Sequence, residues 1–179
     1  QLSTPNEVLV LVHISKNQLN VIKLKGQLSI VLDEIKDPGN LGTIIRIADW
    51  FGIKNIICSE NSADLYNPKV IQSTMGSFIR IDVFYEDLKL FFESYKSTVH
   101  HTIYGALLEG GDIYRKNLSS EGIILMGNES KGISESLKPF IDEAVSIPSF
   151  GGAESLNVSV ATAIICSEFK RGISSEKKV

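Results

Sequence analysis

Five polar residues on three separated stretches have types and positions that could contact a ligand. Asn40 and Arg46 lie in DPGNLGTIIR (37–46), Glu129 lies in MGNESKG (126–132), and Ser155 and Asn157 lie in ESLNVSVA (154–161). In the first stretch a Pro-Gly turn opens a helix, with Asn40 as the expected N-cap. Arg46 then stands about one and a half turns from a helix start whose free N–H groups favour an anion. An arginine there holds a phosphate or assists chemistry at the sugar beside it. In the second stretch Gly127 and Gly132 have the spacing of a phosphate-binding P-loop, but Ile133 and Ser134 follow where that loop needs Lys and a hydroxyl residue. Glu129 would also repel a triphosphate, so a cationic or neutral ligand suits the loop better. In the third stretch Ser155 and Asn157 crowd the start of the final helix, where ordinary capping accounts for one of them but not both. Taken singly, the first two stretches also read as a capped helix with a solvated Arg and a strand-to-helix turn with a solvated Glu.

Those stretches must be held by regular elements. Short apolar runs at 8–14, 30–32, 55–58, 78–84, 102–107, 122–126 and 144–147 read as strands. Most are separated by helical patterns, at 41–51, 68–73, 87–95, 134–140 and 156–171. Strands apolar on both faces that alternate with helices indicate an α/β layer fold with a largely parallel sheet. Sites in such sheets lie beyond the carboxyl ends of the strands, where each of the three stretches falls. In the first, Leu41, Ile44, Ile45 and Ala48 form the packing face, and Thr43, Arg46 and Trp50 form another. In the third, the final helix carries too broad an apolar surface for one narrow stripe. It is buried on two sides, or on one side with a second subunit on the other.

The chain has 179 residues, 43% of them hydrophobic, enough for one well-buried domain. A net charge of -3 gives no general attraction to polyanions, so nucleic-acid affinity would rest on local cations such as Arg46, Lys69, Arg80 and Lys131. Cys58 and Cys166 read as buried free thiols in a reducing compartment. The histidines His13, His100 and His101 lack metal-ligand spacing. No run has the length of a membrane span, and no secretion signal is visible. A Rossmann-type nucleotide enzyme is disfavoured, since no G-x-G-x-x-G follows the first strand. The chain begins with Gln1 rather than Met, which leaves room for a preceding segment.

As a set, the three stretches, together with Ala48-Asp49 and Ile147-Pro148, resemble the SpoU (TrmH-like) branch of the SPOUT RNA methyltransferases. The likeness runs over about 28–171. It implies a mostly parallel sheet flanked by helices, with a C-terminal deep trefoil knot, in a homodimer. It also implies S-adenosylmethionine-dependent methyl transfer to a ribose 2′-hydroxyl of structured rRNA or tRNA, in the cytoplasm, with no metal and no membrane. The family's functional positions carry over to Asn40, Arg46, Glu129, Ser155 and Asn157. Its cofactor positions fall on Leu125, Met126, Gly127, Ile147, Ser155 and Leu156. Residues 28–179 would form the methyltransferase domain. Residues 1–27 would hold a first strand and a linker, or the remnant of an N-terminal RNA-binding domain. The alternative is an RNA-binding module of the same fold that does not catalyse, which would be expected to have lost Arg46 or Asn157; both are present.

Overall fold

A computed structural model describes His13 and residues 18–176. The predicted strand at 8–14 lies outside the described residues, apart from His13, which is exposed and irregular. Six strands form one sheet: β1 (Leu28–Leu32), β2 (Asn55–Ser59), β3 (Asp82–Glu86), β4 (Ile103–Asp112), β5 (Gly122–Met126) and β6 (Glu143–Ser146). Their order is β3-β2-β1-β5-β4-β6, and every pairing is parallel. Four helices accompany them: α1 (Pro38–Trp50), α2 (Pro68–Thr74), α3 (Leu88–Thr98) and α4 (Val158–Glu176).

The central strands read as continuous apolar runs because both of their faces are covered. Ile30, Leu32, Ile124 and Met126 point into a core closed by α1 and by Val158, Ile165, Cys166 and Phe169 of α4. Val31, Ile123 and Leu125 point the other way, into a core closed by Leu88, Phe91, Phe92 and Tyr95 of α3. Leu24, in a 3-10 turn at Val21–Leu24 inside the segment read as a linker, belongs to this second core. Gly42 sets the distance between α1 and α2. A Cβ there would lie 2.5 Å from Ser73 Cβ and 2.6 Å from the Val70 carbonyl oxygen, so only glycine allows the approach.

Three expectations are corrected. The N-cap of α1 is Asp37, whose Oδ1 accepts from Asn40 N at 2.9 Å, and Asn40 sits inside the helix. Pro38 at the first helical position, where a missing N–H is harmless, marks that start. The helix expected at 134–140 is instead a turn closed by Leu137 N donating to Ser134 O at 2.9 Å, followed by a 3-10 turn at Lys138–Phe140. Pro139 has no N–H for a helical bond, and Ile133 and Leu137 reach the core without one. The run at 78–84 begins as a 3-10 turn (Ser77–Ile79) that leaves Ile79 exposed, and only its end enters β3.

Candidate active site

The sheet order creates a crevice beside β1. The chain leaves β1 towards β2 on one side, whereas β5 leads on towards β6 on the other, so the loops after these neighbouring strands diverge. This is the switch point at which α/β sheets bind ligands. A cleft of about 640 Å³ opens there, lined by residues of the loop after β1, the start of α1, the glycine loop after β5 and Asn157.

The glycine loop is a closed turn. Asn128 N donates to Gly132 O at 3.0 Å, and Gly132 N donates to Asn128 O at 2.9 Å. Gly132 has φ +69°, in the left-handed region that favours glycine. A Cβ on Gly127 would lie 2.2 Å from the backbone carbon of Gly132, so the two arms of the turn meet without room for a side chain. Asn128 Nδ2 donates to Glu34 O at 2.8 Å, tying the turn to the loop after β1. Asp33 makes a second tie. This buried carboxylate at the end of β1 accepts from Ser134 N at 2.7 Å through Oδ2.

Three of the five predicted catalytic residues are joined in a single relay. Asn157 Oδ1 caps α4, accepting from Ser159 N at 2.9 Å and from Ser159 Oγ at 2.6 Å. Its Nδ2 donates to Asn40 Oδ1 at 3.0 Å, and Asn40 Nδ2 donates to Glu129 Oε1 at 2.9 Å. The helix N–H fixes which end of Asn157 is the acceptor, and that choice fixes Asn40 in turn. The relay runs from the positive end of the α4 dipole to a carboxylate, so each bond is oriented favourably. It also leaves Glu129 Oε2, in a residue that lines the cleft, without a protein donor among the described residues.

The other predicted residues stand apart. Arg46 is exposed on α1 and makes no hydrogen bond or ion pair among the described residues. Six residues beyond Asn40, it lies roughly 9 Å further along the helix and about 120° around it, and it is not among the residues that line the cleft. Ser155 is exposed and forms no hydrogen bond among the described residues. Leu125 and Met126 are buried in opposite cores, so only their backbone faces a ligand. Ile147 is half-buried and Leu156 is 48% exposed at the two ends of the loop between β6 and α4. Neither lines the cleft, and nor does Gly127. Of the cations considered for nucleic-acid contact, Arg80 is committed to Asp49, with Nη2 and Nε donating to Oδ2 at 2.6 and 2.9 Å.

Sequence reasoning missed Asp33, Lys36 and Asp37. For Asp33 the available signal was a carboxylate directly after a fully apolar strand. For Asp37 it was the proline that follows. Burial pushes both thiols, Cys58 and Cys166, up to about 12, so neither is a nucleophile at neutral pH. Among the described residues there is no cluster of His, Cys, Asp or Glu suited to a metal, and no helix long and apolar enough to cross a membrane.

Comparison with known proteins gives this site its relatives. The 23S rRNA (guanosine(2553)-2′-O)-methyltransferase RlmP of Bacillus subtilis is 32% identical over 163 residues, covering 90% of this chain and 64% of its own length. An AdoMet-bound rRNA methyltransferase from Sinorhizobium meliloti superposes with a TM-score of 0.80 at 29% identity, over 88% of this chain and 62% of that one. The SpoU methyltransferase AviRb from Streptomyces viridochromogenes, in complex with AdoMet, superposes with a TM-score of 0.76 at 29% identity, over 84% and 62%. The chain thus spans a little under two thirds of the length of these relatives. The family model for the SpoU rRNA methylases matches residues 27–167, which take in all six strands and all three loops of the site, and the chain belongs to that family.

Proposed function

We propose that this chain transfers a methyl group from S-adenosylmethionine to a ribose 2′-hydroxyl of rRNA or tRNA. The observation that carries the reading is the relay from Glu129 through Asn40 to Asn157, which draws three distant motifs into one polar cleft. When bound, the cofactor supplies an electrophilic methyl group on a cationic sulfonium. Gly127, Ile147, Ser155 and Leu156, with the backbone of Leu125 and Met126, would hold it beside the cleft rather than within its lining, and a loop carrying Glu129 tolerates its positive charge where a P-loop lysine would oppose it. The same relatives' names support the RNA substrate and the cofactor.

The chain's own residues have separable tasks. Alignment of the attacking oxygen supplies much of the acceleration in an in-line displacement. Asn40 and Asn157 are fixed by their bonds and hold the floor of the cleft, while Glu129 braces the glycine loop. A guanidinium is too weakly basic to take the hydroxyl proton, so Arg46 acts by positioning and electrostatic activation. Because Arg46 is not part of the cleft lining, it would meet the ribose from the rim or in the cleft of a second copy. We place the protein in the cytoplasm as a homodimer, with residues 1–27 leading from a substrate-binding domain into the methyltransferase domain at 28–179. We also assign its carboxyl-terminal path a trefoil knot. In support, the chain leaves β6 at the sheet edge and returns across β4 and β5 to pack α4 on α1.

Mapping 2′-O-methylated positions in total RNA from cells with and without the protein tests the activity. Arg46→Ala is expected to abolish the mark while leaving S-adenosylmethionine affinity, measured by titration calorimetry, within a few-fold of wild type. A mark that persists would remove Arg46 from the mechanism. Absence of cofactor binding at millimolar concentration would favour the non-catalytic RNA-binding module.

A further inference from the structure

We infer that Lys131 grips a backbone phosphate of the RNA strand entering the cleft, setting substrate affinity without taking part in the chemistry. The inference rests on the methyltransferase reading above. The cleft contains two lysines, Lys36 and Lys131, and two carboxylates, Asp37 and Glu129. Each carboxylate accepts one bond from a neutral amide of Asn40, Asp37 Oδ1 from N at 2.9 Å and Glu129 Oε1 from Nδ2 at 2.9 Å, and neither is ion-paired with a lysine of the cleft. Lys36 shares its charge with Glu34, 3.4 Å away. Lys131 is exposed and forms no ion pair among the described residues, so it is the cleft's uncommitted cation.

Its backbone is also fixed in advance. Lys131 N donates to Asn128 Oδ1 at 3.1 Å, within the turn closed by the reciprocal bonds between Asn128 and Gly132. Only the side chain has to become ordered on binding, which limits the entropic cost of the contact. Other cations unpaired among the described residues, Arg46 and Lys69 among them, stand elsewhere on the surface, so what singles out Lys131 is its place in the cleft lining. A polyanion therefore finds its local attraction where an uncommitted ammonium stands at the reaction cleft. Lysine serves as a point charge for phosphate, and neutralising one phosphate releases counterions, which gives the contact a salt signature.

The test uses rRNA from cells lacking the protein, with methyl transfer followed over a range of salt concentrations. Lys131→Ala should raise KM for RNA roughly three- to five-fold, the size of one partly screened charge contact. It should leave kcat and the Kd for S-adenosylmethionine unchanged, and should lower the slope of log KM against log salt by about 0.7–0.9. Lys131→Arg should restore most of the loss. An unchanged KM and slope would overturn the inference. So would a raised Kd for the cofactor, which would put the lysine on the cofactor's carboxylate. If the wild-type protein methylates no RNA in this assay, the methyltransferase reading itself fails, and that result is seen before any variant is made.

Discussion

Asn157 shows how one side chain serves two structures at once. Its oxygen caps α4, and its amide nitrogen reaches across to Asn40 on α1. The two duties can be separated by mutation. Asn157→Asp keeps a good cap but removes the donor and sets a carboxylate against Asn40 Oδ1. Its Tm should stay within about 2 °C of wild type, since a cap is retained, while kcat falls at least ten-fold. Asn157→Ala should lose the cap as well, at about 1 kcal/mol. Thermal melts beside initial-rate measurements distinguish the cases, and full activity in Asn157→Asp would show that the relay is only structural. Asn40, Glu129 and Asn157 could each be picked out from their motifs. Their mutual bonds could not, because the partners lie 89 and 117 residues apart and no local pattern encodes so distant a pairing.

At the level of elements, the strands were the most legible part. Both faces of β1 and β5 are covered, so their apolar runs had no competing explanation. Helical spacing misled at 134–140, where Ile133 and Leu137 satisfy a four-residue apolar period from within a turn and Pro139 bars the helix. Turn chemistry also decides the site's shape, most sharply at Gly127. Gly127→Ala drives a Cβ to 2.2 Å from the Gly132 backbone, which must move. The expected cost is about 1–3 kcal/mol, the size of an overpacked contact. Cofactor affinity should fall with it. Gly152→Ala, where an added Cβ meets nothing within 4 Å, is the matched control and should change neither property. A Gly127→Ala protein with wild-type Tm and cofactor affinity would mean that the turn has more slack than its geometry allows.

The whole molecule presents an unfinished surface along α1. Thr43, Arg46 and Trp50 form one exposed ridge, with Trp50 85% exposed. Met75 and Ile79, at the ends of elements packed beside α1, are 71% and 73% exposed. Such apolar exposure suits a contact between two copies. Trp50 is the one tryptophan in the sequence, so its emission reports that ridge alone. On association the emission should shift to the blue, and dilution to the monomer seen by sedimentation should return it to the solvent-exposed position. Dimers whose tryptophan still emits as a solvent-exposed group would place the interface elsewhere. The bonding between Asn40 and Asn157 carries a further consequence for how the protein is made. A ribosome delivers α1 long before α4, and until the last helix emerges Asn40 has no amide to complete its pairing. The relay is therefore completed only once α4 has been made, and a chain halted just before residue 157 would carry all six strands without the finished relay.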